Sequence, residues 1–384
     1  MTEDSLLRYH PERYRRTRPF AKKVASTYRI IAGTNPPTTE SLESITNIIM
    51  NTYTDLISLI PIESRPTDLR MLMREPSMAS YYASYCAYGR NIFHLNDEIL
   101  EEFLYTDVEA VPIELVDFPY DCFYISFGSI NELTLYHYDC HVDGAYVFAF
   151  DGFPLQIALT TSLSNWDYSS RYEWIYNPDR YYYLAMETDD PTATFGLLIN
   201  NALRNELEAH KDKGEIFETG IYEVDGRSVG IINKRPESAI KDQQEISSGF
   251  NTFRVALNLV VNTLCYISQY RNEIEESWPL GTPKSLLAKL NTAKTPKQTQ
   301  RIVSKLISMG YTKLKICGSS FKKNNIQGTG AEIRPHWRRG HWRQQPYGEG
   351  FKERKIIWIR PTIVRKDKGS PESGHIYEMS KEKS

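Results

Sequence analysis

Between Asp121 and Thr160 the chain reads as one strand after another, and this stretch limits the fold more than any other. Cys122–Gly128 (CFYISFG) is an aromatic and β-branched run that follows Pro119. Leu133–Tyr138, Ala145–Phe150 and Pro154–Thr160 come next. Asp143-Gly144 and Asp151-Gly152 stand at the joints, and Asp-Gly is the strongest short-range turn signal between strands. Consecutive strands with short turns predict an antiparallel meander. Tyr181–Glu187 and Ser228–Ile232 are candidate edge strands.

Helical patterns flank this region. Ala21–Ala32 reads as a short helix ended by Gly33, and Glu40–Ile60 as a longer one capped by Thr39. Asp97–Leu104 has acidic residues in its first turn, which suits the helix dipole. Later come Ala193–His210, Ile246–Glu275 and a helix from Thr295-Pro296 to Met309, stopped by Gly310. Lys313–Cys317 and Lys355–Val364 read as strands. Helices, then strands, then helices predict an α+β fold with a central antiparallel sheet and flanking helices. Residues 1–20 are expected to form a basic N-terminal arm or cap, because Pro11 and Pro19 discourage a continuous helix. Residues 21–366 are expected to form a single α+β domain that includes the basic 318–366 segment. The closing 367–384, rich in Lys, Glu, Ser and Gly, is expected to be disordered.

With 384 residues, 41% of them hydrophobic, the chain can bury a core without disulfides or a metal. The five cysteines are scattered without a CxxC pair; Cys122, Cys265 and Cys317 sit in apolar runs and read as small buried hydrophobes in a reducing compartment. The N-terminus has no apolar leader, and no run of residues is long and apolar enough to span a bilayer. A cytoplasmic protein with no membrane partner is therefore expected. No Walker A, GxGxxG, GxSxG, HExxH or EF-hand pattern occurs, which disfavours the enzyme classes that these mark. No cofactor is expected.

The charge is uneven. From Phe321 to Lys366 there are 12 Lys and Arg against 3 Glu, whereas residues 1–320 hold 31 basic and 41 acidic residues. A basic segment on an acidic body suggests a polyanion partner, RNA or DNA, or else a tail that neutralises its own body. Inside that segment, RPHWRRGHWRQQPYG repeats His-Trp-Arg at His336 and His341. Three readings stay open. Arg334, Trp337, Arg338, Arg339, Trp342 and Arg343 could neutralise phosphates and stack on bases. His336 and His341 could serve as acid and base of a metal-independent ribonuclease, although a spacing of five does not align them on a regular helix or strand. Alternatively, the tryptophans could pin a tail in a non-catalytic interaction protein. His137, Asp139 and His141 share one face of a strand and could ligate a metal, but a polar strand end is the simpler reading, and no metal site is assigned.

The run from Arg334, followed by KIIWIRPTIV, resembles the C-terminal tail of uncharacterised bacterial, phage and plasmid proteins. Their pattern is similar to PHxRxGHxR, a short loop, then W[IV]RPx[IV]V. His336, Arg338, Gly340, His341 and Arg343 match the first part; Trp358, Arg360, Pro361 and Val364 match the second. The resemblance covers about a tenth of the chain. It implies a prokaryotic or mobile-element setting and no particular reaction.

Overall fold

The computed structural model describes residues 9–31, 39–59, 75–128, 130–135, 140–150, 153–163, 181–188, 190, 192–212, 221–224, 227–230, 237–319 and 336–364. Its helices are α1 (His10–Thr17), α2 (Ala21–Ile31), α3 (Thr39–Ile57), α4 (Glu75–Ala87), α5 (Asp97–Leu104), α6 (Phe195–Asp212), α7 (Glu237–Gln269), α8 (Lys284–Asn291) and α9 (Pro296–Met309). Its strands are β1 (Ile92–Leu95), β2 (Thr106–Asp107), β3 (Cys122–Ser126), β4 (Thr134–Leu135), β5 (Cys140–Phe148), β6 (Leu155–Leu163), β7 (Tyr181–Met186), β8 (Ile221–Val224), β9 (Arg227–Gly230), β10 (Glu275–Ser277), β11 (Leu314–Cys317), β12 (His336–Arg338), β13 (Gly340–Tyr347), β14 (Glu353–Ile359) and β15 (Thr362–Val364).

The main sheet runs β10-β11-β1-β3-β5-β6-β7, with β4 added beside β5. The meander β3-β5-β6-β7 is antiparallel as expected, but β1 lies parallel to both β3 and β11. The sheet is therefore mixed, which corrects the purely antiparallel expectation. Parallel neighbours need a crossover rather than a hairpin. β1 reaches β3 through α5, and β11 arrives only after α8 and α9, an adjacency that local periodicity does not encode.

Both faces of the sheet are covered. On one, Phe123, Ile125, Val147 and Ile157 pack with α5, α6 and α7. On the other, Cys122, Tyr124, Tyr146 and Phe148 pack with α1–α4. This explains why β3 is a nearly continuous apolar run: it is buried throughout. All five cysteines are buried and none forms a disulfide. Burial pushes the Cys122, Cys265 and Cys317 thiols well up, consistent with inert packing groups.

The N-terminal stretch departs from the arm expected for it. From Tyr9 onward it belongs to the body: α1 is a helix with His10, Pro11, Glu12, Arg13 and Tyr14 buried. Pro11 falls in the first turn, where its missing N–H removes no helical bond. The Asp143-Gly144 turn is also overturned. Both residues lie inside β5, where the pairing with β6 slips between Val142 and Gly144. That bulge turns the Asp143 carboxylate inward onto Arg13 of α1 at 2.9 Å. Thr160 donates to the same carboxylate at 2.7 Å and also bonds the Tyr124 hydroxyl at 2.9 Å. A second buried pair, Arg18 to Glu75 at 3.0 Å, ties the end of α1 to the start of α4. Asp151-Gly152 and the 367–384 tail lie outside the described residues.

Candidate nucleic-acid interface

The repeated His-Trp-Arg triplets occupy two successive strands with different partners. β12 pairs antiparallel with β15, so that His336, Trp337 and Arg338 oppose Val364, Ile363 and Thr362. β13 pairs antiparallel with β14 along its length and parallel with β2 at Gly340 and His341. Gly340 is required at that junction. Its N–H donates to the Tyr105 carbonyl at 2.8 Å, and a Cβ there would run into Pro361 and Thr106.

Strand alternation sorts the second triplet by face. Trp342 points inward and is 4% exposed, whereas His341 and Arg343 point outward. The Trp342 ring stacks on that of Trp358 with centroids 5.8 Å apart. Its indole N–H donates to the Asn262 side-chain oxygen of α7 at 2.7 Å, and the Asn262 amide donates in turn to the carbonyls of Thr106 and Phe103. The Trp358 indole donates to the Thr106 hydroxyl at 3.1 Å. Arg360 makes a two-pronged ion pair with Glu102 of α5 and lies over the Trp358 ring. The expected base contact by Trp342 is therefore corrected: its ring fills the core and anchors the strand.

The outward side chains remain open. Arg338, Arg339, His341 and Arg343 are all exposed. Arg339 lies 3.4 Å from the Asp107 carboxylate, and Arg343 donates to Gln345. At the far end, the β13–β14 connection presents Tyr347 and Phe351, the latter 70% exposed. Gly348 and Gly350 adopt positive φ there, and so does Phe351 itself at 55°. The Phe351 carbonyl accepts from Arg354 at 2.7 Å, and the Lys355 ammonium lies 5.2 Å from the Tyr347 ring centre. Sequence reading overlooked Phe351, Lys352 and Lys355; an apolar ring directly after a Gly-Glu-Gly turn and followed by basic residues was the available signal.

Arg334 lies outside the described residues, and for His336 and Trp337 only the strand pairing is described. The two histidines sit on strands with different partners, with Arg339 between them. Of the metal candidate, His137 and Asp139 lie outside the described residues; His141 is on β5, with Nδ1 3.1 Å from the Thr134 hydroxyl. Among the described residues no group of three His, Cys, Asp or Glu could hold a metal, and no helix is long and apolar enough to cross a membrane.

No curated protein matches the chain. A solved crystal structure of AcrVA2 is similar at 12% identity and a TM-score of 0.36, covering 92% of this chain and 97% of that one. A family model described as AcrVA2-like, anti-CRISPR type V subtype A2, matches residues 93–366, from within β1 to just past β15. That span takes in most of the chain and the whole C-terminal sheet, so the chain belongs to the AcrVA2-like, anti-CRISPR type V subtype A2 family.

Proposed function

We propose that this chain is an anti-CRISPR protein of a phage or other mobile element, acting against a type V system and contacting RNA or DNA through its C-terminal strands. The family supports the first half. The observation that carries the second is the division of β13 into two faces. Trp342 and Trp358 anchor β13 and β14 on the body, which leaves His341 and Arg343 of β13 facing solvent, with Arg338 and Arg339 exposed just ahead of the strand. Arginines held this way neutralise phosphates. Among the described residues, the exposed rings at the end of the same hairpin that could stack on unpaired bases are Phe351 and, beside Lys355, Tyr347.

The test replaces Arg338, Arg339 and Arg343 together with Ala. Expected is a loss of affinity for labelled RNA or DNA, a shallower salt dependence, and loss of phage protection in cells carrying a type V CRISPR system. Unchanged binding with a native circular-dichroism spectrum sinks the nucleic-acid half. Unchanged phage infection with wild-type protein present sinks the anti-CRISPR half. The ribonuclease alternative, with His336 and His341 as acid and base, predicts cleavage that either single His→Ala change abolishes in a folded protein.

A further inference from the structure

A second cationic surface lies elsewhere in the fold. Between Ser277 and Ala331 the sequence contains ten Lys and Arg and no Asp or Glu. Six of the ten fall on the helical hairpin α8–α9 and its turn: Lys284, Lys289, Lys294, Lys297, Arg301 and Lys305. All six are exposed. Among the described residues none of them lies within ion-pair distance of a carboxylate, whereas the nearby Lys313 and Lys315 both bond Glu276.

The arrangement is regular. Lys297, Arg301 and Lys305 recur every four residues on α9, so they form one stripe with steps of about 6 Å along the axis. Leu306 and the half-buried Ile302 occupy another face of the helix and pack with Leu286, Leu287, Trp278 and Tyr311. Thr295 caps α9, its hydroxyl accepting from the Gln298 N–H, and Gly310 closes it in the left-handed region. The stripe is thus mounted on a well-terminated helix with its own small core. Its composition opposes intrinsic stability. The first turn of α9 holds no acid, and Lys294 and Lys297 stand at the positive end of the helix dipole, where a cation costs about 0.3–1 kcal/mol. Repulsion among like charges four residues apart adds a smaller cost.

We infer that the α8–α9 hairpin is a phosphate-contacting surface for a nucleic-acid duplex, separate from the C-terminal strands. Lysine is depleted in protein–protein interfaces, and five of the six cations are lysine, which argues against an acidic protein partner. A compact ammonium on a flexible stem suits a phosphate oxygen and carries no base preference. Among its described residues, neither helix nor the turn between them carries an aromatic ring that could stack on an unpaired base. The surface therefore follows the backbone of a duplex by charge alone, and helps to hold a ligand whose other contacts lie elsewhere.

The experiment compares the wild type, the triple variant Lys297→Gln/Arg301→Gln/Lys305→Gln, and the Arg338→Ala/Arg339→Ala/Arg343→Ala variant. Each is titrated into a fluorescein-labelled DNA duplex by anisotropy between about 50 and 200 mM salt. The expected result is an affinity about tenfold or more weaker for the glutamine variant, with a log–log salt slope lower by about 2 to 3. Its melting temperature should not fall, because the side chains are exposed. An unchanged affinity and slope in that variant overturns the inference. So does tighter wild-type binding to polyglutamate than to the duplex. If the strand variant alone loses binding, the reading of the C-terminal strands stands and this one falls; loss in the glutamine variant alone gives the reverse.

Discussion

The hydrogen bond between Trp342 and Asn262 separates the anchoring face of β13 from its outward face. Replacing Trp342 with Phe keeps an aromatic ring near Trp358 but deletes the indole N–H, leaving the Asn262 side-chain oxygen unsatisfied. An unsatisfied buried acceptor costs about 1–3 kcal/mol. Replacing Asn262 with Ala orphans the indole N–H instead, at a similar cost. It also removes the amide donor to the Thr106 and Phe103 carbonyls, each worth about 1 kcal/mol. The double variant loses the shared bond only once, so its cost should fall short of the sum by about 1–3 kcal/mol. Arg343→Ala, one residue along on the opposite face, should stay within about 0.5 kcal/mol. Urea unfolding followed by far-UV circular dichroism measures all four. Equal costs for Trp342→Phe and Arg343→Ala, or strictly additive single changes, would refute the assignment of faces.

Other consequences can be measured the same way. Burial pushes the Glu12 carboxyl up to about 8 and outweighs the Thr312 N–H donated to its Oε1 and the nearby Arg15 and Arg16, which pull the other way, so the folded state favours the protonated acid. The unfolded chain ionises near the ordinary value of 4.5, so this contribution is complete below that pH and is lost as pH rises towards 8. Glu12→Gln should flatten the decline and exceed wild type at pH 8 by a few kcal/mol, on the order of the shift; parallel pH profiles for the two proteins would contradict this. Arg13→Met leaves the Asp143 carboxylate buried without its cation and should cost about 3–5 kcal/mol, of which Arg13→Met/Asp143→Asn should recover part. Calorimetric melting compares the two; no recovery argues against the ion pair as the cause. Gly144→Ala should be among the most damaging single changes, because the added methyl meets the Tyr124 hydroxyl and the Ile125 carbonyl, and a native soluble yield would speak against that close approach.

Much of the fold was legible because its signals are local. Asp97 and Glu98 open α5, and Thr295, Pro296 and Gly310 bound α9, where the sequence placed them. What stayed hidden depends on distant partners. Asp143-Gly144 has the composition of a turn, but Arg13 and Thr160 make a bulge the better solution. Residues 9–20 carry enough charge to suggest an exposed arm, yet Asp143 and Glu75 neutralise Arg13 and Arg18 inside the body. In the candidate interface the arginines were visible as a count, whereas the inward turn of Trp342 depends on Asn262, eighty positions away on α7. The cations of α8–α9 escaped notice because they were averaged into an acidic body.

The position of β1 also bears on how the protein is made. It lies between β3 and β11, and β11 is synthesised roughly 220 residues after β1. At ribosomal speeds of about 5–20 residues per second, one edge of a buried strand waits for about 10–45 s before its partner emerges. Closure of the main sheet is a late, high-contact-order event, and chains stopped short of Cys317 present an open parallel edge to chaperones, proteases and one another.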